Sequence, residues 1–77
     1  MALIRDFKKG DPRDRYSIHE EIEAVYRVFE RDSRKIIQID THGRKEREFP
    51  EKVSQSIQLD RTGAEILVAV LRREYGL

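Results

Sequence analysis

Apolar and polar residues alternate in two neighbouring stretches of the chain. In IEAVYRVFE, Ile22 to Glu30, every even position from Ile22 to Val28 is apolar, and IIQIDTH, Ile36 to His42, follows a similar pattern. Alternation of this kind with β-branched and aromatic residues is typical of strands. The segment between them, ERDSRK, is polar throughout. We therefore predict an antiparallel hairpin, because two such strands joined by a short turn pair with each other.

A third alternating stretch, VSQSIQLD, predicts another strand. Val53, Gln55, Ile57 and Leu59 lie on one side of it, and Pro50, which has no N–H to donate, precedes it. If this strand joins the hairpin in one sheet, one face of the sheet carries short hydrogen-bonding side chains, and it is referred to below as the polar sheet face. Its polar members are Gln38, Asp40, His42, Ser54, Ser56 and Gln58, with Val25, Arg27 and Phe29 beside them on the first strand.

The last segment, AEILVAVLRREYG, predicts a C-terminal helix. Asp60 is a suitable N-cap, because its carboxylate can accept from the free N–H groups of the first turn. Thr62 with Glu65 forms a possible capping box and offers an alternative start. Gly76 marks the end of the helix. The expected fold class is α+β: a small antiparallel sheet of three or more strands followed by one helix.

The helix is apolar on all sides over two turns, since no residue from Ile66 to Leu71 is polar. Such a helix must be covered on more than one side, and a three-stranded sheet covers one. We therefore predict a homodimer packed through this helix; the alternative is that the N-terminal arm folds over it. The predicted dimer interface consists of Ile66, Leu67, Val68, Ala69, Val70 and Leu71.

Length and composition indicate one domain. With 77 residues the chain has no room for a second core, and we expect an extended or mobile arm over 1–17 and the sheet-and-helix domain over 18–77. There is no Cys, so a reducing compartment suits the protein. The sequence has no apolar run long enough to predict a signal peptide or a membrane span. We expect a cytoplasmic protein without a membrane partner.

Enzymatic chemistry is poorly supported by the sequence. His19 and His42 are the only histidines and there is no Cys, so a zinc site would need at least two carboxylate ligands. No Gly-rich phosphate loop is present, and Ser54 and Ser56 lack the surroundings of a catalytic nucleophile. We predict a binding protein with no catalytic residues, no metal and no cofactor.

Single-stranded nucleic acid is the expected ligand of the polar sheet face. Proteins that bind single strands combine a cationic groove with aromatic rings on which bases stack. Phe29 is the candidate for stacking, and the segment GRKEREFPEK supplies cations for phosphates. The predicted contact residues are Arg27, Phe29, Gln38, His42, Arg44, Lys45, Arg47, Lys52, Ser54, Ser56 and Gln58.

Two other interpretations stay open. With 16 basic and 15 acidic residues the net charge is only +1, whereas nucleic-acid-binding domains often have a clear basic excess. The polar face could be plain solvated surface, as in many antiparallel sheets. An open sheet edge could instead dock another polypeptide. A positive stripe across the sheet would favour nucleic acid, and mixed charges along an open edge would favour a protein partner.

The order of elements resembles the transcriptional coactivator family called positive cofactor four. The resemblance rests on KIIQID, on PEKVSQSIQLD leading into the helix, and on AEILVAVLRREYG. It implies a curved antiparallel sheet, a dimer formed through the helix, and binding of single-stranded DNA on the sheet face. The chain departs from the family in having no Trp and a nearly neutral connection. It is also similar to small bacterial proteins with an SQSIQLD stretch, which imply no particular activity.

Overall fold

A computed structural model describes residues 1–42 and 53–77. They form four strands and one helix: β1 (Ala2–Ile4), β2 (Ala24–Arg31), β3 (Arg34–His42), β4 (Val53–Leu59) and α1 (Arg61–Tyr75). The predicted fold class, a small sheet followed by one C-terminal helix, is confirmed.

The strands form one sheet in the order β1-β4-β3-β2. β2 pairs antiparallel with β3, and β3 pairs antiparallel with β4, as predicted. β1 adds a fourth strand, which runs parallel to β4 and pairs Ala2 with Ile57 and Ile4 with Leu59. This strand lies in the segment expected to be an extended arm, and the exposed residues 5–23 connect it to β2 at the opposite edge of the sheet.

The hairpin between β2 and β3 turns at two residues. Asp32 and Ser33 both have a left-handed backbone, with φ of 56° and 61°. Two positive φ values match the right-handed twist of the flanking strands, which makes this the tightest hairpin connection. The polar segment ERDSRK was predicted as the turn, but its outer residues continue the strands.

Asp60 and Gly76 cap the helix as predicted. The Asp60 side chain accepts a hydrogen bond from the Gly63 N–H at 2.9 Å, so the helix begins after Asp60 and not after Thr62. Gly76 has φ of 69° and donates its N–H to the Arg72 carbonyl at 2.8 Å. A left-handed residue at this position is tolerated by Gly because it has no Cβ.

The strand register places the polar and apolar side chains on opposite faces of the sheet. Gln38 pairs with Gln58 and Asp40 with Ser56 on the polar sheet face, while Ile39 pairs with Ile57 on the other. An irregularity between Thr41 and His42 interrupts this order, because Thr41 pairs with Gln55 but His42 pairs with Val53. Ser54 therefore has no pairing partner on β3 in this register. Its predicted place on the polar sheet face assumed an uninterrupted register, and the irregularity interrupts the pairing with β3 at this residue.

The buried core is small. Its hydrophobic members among the described residues are Ile36 and Leu59, which lie on opposite faces of the sheet. No described side chain is less than 2% exposed. α1 contacts the sheet chiefly at β4, the strand that leads into it. The radius of gyration is 14.9 Å, against about 11.5 Å for a compact domain of this length.

Candidate functional site

Asp40 is the centre of a hydrogen-bonded cluster on the polar sheet face. Only 3% of the residue is exposed. Its Oδ1 accepts from the Ser56 hydroxyl on β4 and from Gln38 Nε2 at 3.0 Å, and its Oδ2 accepts from Arg27 Nη1 on β2 at 3.0 Å. The cluster therefore links the three antiparallel strands through one carboxylate, and its acceptor capacity is used by side chains of the protein itself.

The carboxylate fixes the orientation of two amides. An ionised carboxylate only accepts hydrogen bonds, so Gln38 must turn its NH₂ group towards Asp40. Gln38 Oε1 then faces β4 and accepts from Gln58 Nε2 at 2.8 Å. Gln58 keeps its own Oε1 and a second N–H for another partner. The cluster thus presents one oriented amide at its β4 side.

These contacts lower the pKa of Asp40 below its ordinary value of 3.8. The main causes are the hydrogen bonds from Ser56 and Gln38, and the charges of Arg27 and His42 act in the same direction against the cost of burial. Asp40 is therefore ionised at neutral pH, which is the state that the orientation of the amides requires.

A cleft of about 200 Å³ lies beside this amide and is lined by residues at β1 and β4. Ser56 and Gln58 form its polar side, and Met1, Ala2 and Leu3 form its apolar side. An average water molecule occupies about 30 Å³ of liquid, so the cleft has room for a small planar group. Apolar walls with a few fixed polar groups are typical of sites that bind small ring systems.

The other predicted contact residues lie around the cluster. Arg27 belongs to it, although its side chain is 63% exposed. Phe29 is half-buried and pairs with Ile36 near the hairpin turn. His42 is half-buried at the irregular end of β3. The four cations assigned to phosphate, Arg44, Lys45, Arg47 and Lys52, lie outside the described residues.

Positive charge on the described part of the polar sheet face is largely paired with acidic side chains. The strands contribute three arginines to this face: Arg27, Arg31 and Arg34. Arg27 is paired with Asp40, and Arg34 is paired with Asp60. The charges are thus mixed on this part of the sheet.

Asp60 forms a second charged centre, at the junction of β4 and α1. It is 7% exposed, and its Oδ2 lies 2.7 Å from Arg5 Nε and 3.1 Å from Arg34 Nη2. The Gly63 N–H is the main cause of a lowered pKa at Asp60, and Arg34 and Arg5 add to it. The sequence predicted the cap but not the two ion pairs, because Arg5 and Arg34 are far away along the chain.

Asp40 was predicted on the polar sheet face but was not among the predicted contact residues. The sequence did contain a signal for the role of Asp40. It is the one acidic residue between Gln38 and His42, and the neighbouring strands supply hydrogen-bond donors. Among residues 1–42 and 53–77, no three His, Cys, Asp or Glu side chains are grouped in a way that could hold a metal ion. Within the same residues, no helix is long and apolar enough to span a membrane.

Comparison of the chain with known protein families, with curated proteins and with solved structures found no match.

Proposed function

We propose that the polar sheet face binds single-stranded or locally melted nucleic acid with little sequence preference, and that the protein acts as a homodimer through α1. The observation that carries this proposal is the cleft between β1 and β4 beside the oriented Gln58 amide. Its apolar wall suits the face of a base, and the amide suits the polar edge of the same base. The resemblance to the positive cofactor four family supports the same ligand.

The remaining contacts follow the roles expected from the sequence. Phe29 offers a ring for stacking at the hairpin end of the face, since stacking on aromatic side chains is a sequence-tolerant source of affinity. His42, Ser54, Ser56 and Gln38 meet sugars, bases or bridging waters. Arg44, Lys45, Arg47 and Lys52 contact phosphates.

A salt titration tests the proposal directly. Fluorescence anisotropy of a labelled single strand, at several salt concentrations and beside a duplex of the same sequence, should show salt-sensitive binding that prefers the single strand. Replacing Arg44, Arg47 and Lys52 by Gln should reduce the slope of log K against log salt by about 2, because each neutralised phosphate contributes about 0.7. The matched control replaces Arg72 and Arg73 by Gln and should leave the slope unchanged.

The cleft is tested by two glutamines of the same strand. Gln58→Ala should weaken binding roughly fivefold, which corresponds to about 1 kcal/mol for one hydrogen bond. Gln55→Ala, on the opposite face of β4, should bind as the native protein does. Equal affinities of the two variants would exclude a base in the cleft.

The mixed charges of the sheet favour a second candidate function, a small dimeric module that docks another polypeptide. β2 is a terminal strand of the described sheet, and an unpaired strand edge is a template for an added strand. Absence of single-strand binding at low salt, with a folded protein, would favour this function over the first. Affinity capture with the native protein and with the Val28→Pro variant would then test whether a partner binds at the edge of β2.

A further inference from the structure

The face of the sheet opposite the polar sheet face is mostly apolar, and the described residues cover only part of it. It is referred to below as the apolar sheet face, and its apolar members are Ala24, Tyr26, Val28, Ile37, Ile39, Ile57 and Leu59. Leu59 is buried and Ile37 and Ile39 are half-buried, whereas the other large side chains are exposed. Tyr26 is 71% exposed, Val28 52% and Ile57 37%. Exposed apolar patches of this kind mark interaction surfaces in folded proteins.

The described parts of the chain do not supply the missing cover. α1 contacts the sheet chiefly at β4, and its Val68 and Leu71 are themselves 46% and 37% exposed. The segment that connects β1 to β2 does not cover either surface through Tyr16 or Ile18, because these residues are 74% and 99% exposed. Phe7 of this segment is half-buried. Within residues 1–42 and 53–77, two apolar surfaces therefore remain partly uncovered, one on the sheet and one on the helix.

The exposed area is large enough for a stable interface between two copies. The chain exposes 7586 Å², whereas a compact protein of 9.2 kDa exposes about 4,900 Å². Exposed residues of the arm, the sheet and the helix all contribute to this difference. A standard interface buries roughly 800 Å² on each partner, which is less than the difference.

We infer that a second copy of this chain covers the apolar sheet face, with α1 of each copy lying against the apolar sheet face of the other. A helix packed on a sheet is a common way to bury one face of each. A two-fold axis repeats the contact, so both copies bury both surfaces at once. Contact between the helices alone would leave Tyr26, Val28 and Ile57 in water. This arrangement extends the proposed homodimer and does not depend on nucleic-acid binding.

Disulfide trapping tests the arrangement, because the native chain has no Cys. One variant carries Val28→Cys or Ile57→Cys on the sheet, and another carries Val68→Cys or Leu71→Cys on the helix; all four positions are exposed. The two variants, of which one has an affinity tag, are unfolded together, refolded and oxidised. We expect disulfide-linked dimers that contain one sheet variant and one helix variant. Disulfide-linked dimers of two helix variants should be at least fivefold less abundant than these.

The control pairs each helix variant with Ile18→Cys in the exposed arm and should give little cross-linked product. Circular dichroism and sedimentation of the reduced proteins show that the variants are folded and report their oligomeric state. Cross-links between identical helix variants without a mixed product would overturn the inference in favour of helix-to-helix contact. A folded protein that sediments as a monomer and gives no cross-link would overturn it entirely.

Discussion

Gly63 lies where the first turn of α1 meets the end of β1. A Cβ at this position would overlap the carbonyl oxygen of Ile4 and would also crowd the backbone of Arg5. Both neighbours are backbone atoms, so they cannot turn away as a flexible side chain can. The absence of a side chain at Gly63 therefore lets β1 lie beside α1 while Arg5 pairs with Asp60.

Gly63→Ala should destabilise the protein despite the higher helix propensity of Ala. Propensity alone favours Ala by about 1 kcal/mol, but overpacking against a fixed backbone costs about 1–3 kcal/mol. We expect a lower denaturation midpoint and faster amide exchange in β1 and at its partners in β4. Gly10→Ala is the matched control, because nothing lies within 4 Å of a Cβ there. A more stable Gly63→Ala variant with unchanged exchange in β1 would contradict this account.

The Asp40 cluster joins β2, β3 and β4 at a single register. Arg27 and Ser56 reach the carboxylate because β2 and β4 are aligned with β3 as they are. A slip of one residue would turn Asp40 to the apolar sheet face, since side chains alternate between the faces of a strand. We interpret the cluster as a device that specifies the strand alignment, in addition to presenting the Gln58 amide.

Asp40→Asn should weaken the protein at neutral pH and make its stability less sensitive to acid. The pKa of Asp40 is lowered in the folded state, so the folded state favours the ionised form. The resulting stabilisation is present above about pH 4 and is lost as the pH falls below the ordinary value of 3.8 through the folded value. The difference between the native protein and the variant should therefore be greatest at neutral pH and should shrink in acid.

Urea denaturation from pH 7 down to pH 2.5 measures this difference. Asp11→Asn, in the exposed arm, should follow the native curve at every pH. A constant offset between the native protein and Asp40→Asn over this range would mean that the charge of Asp40 contributes nothing to stability.

The described residues bury little apolar surface for a stable monomer. Two hydrophobic residues among them are buried, and small domains depend on additional cross-links, metals or self-association. Disulfides are excluded by the absence of Cys. The proposed dimer would add stability through the exposed helix and sheet, and it would link folding to protein concentration.

The denaturation midpoint should consequently rise with protein concentration, since a tenfold change in concentration corresponds to about 1.4 kcal/mol. Val68→Glu should lower the midpoint and remove most of this dependence, because it places a charge on an exposed apolar part of α1. Glu74→Gln, at an exposed position in the last turn of α1, is the control. A midpoint that is independent of concentration for the native protein would show that the monomer is stable by itself.

The sequence alone predicted β2, β3, β4 and α1 with the faces of the strands, but it did not predict β1. Alternation over Ile22–Val28, Ile36–His42 and Val53–Leu59 indicated the strands, and Asp60 and Gly76 indicated both ends of the helix. These features depend on residues within a few positions of one another. Side-chain direction in a strand and the hydrogen bonds of a helix end depend on neighbouring residues, so they can be predicted from the sequence.

The tertiary structure decided which groups satisfy one another. The pairing of β1 with β4, the ion pairs of Arg5 and Arg34 with Asp60, and the neutralisation of Arg27 by Asp40 join residues that are distant in sequence. No local pattern in the sequence identifies these partners. Each charged residue could pair with many residues of opposite charge, and each free strand edge could pair with more than one other strand. For the helix, the sequence predicts that one sheet cannot cover all of its apolar sides. Only the fold shows that Val68 and Leu71 are among the residues that stay exposed.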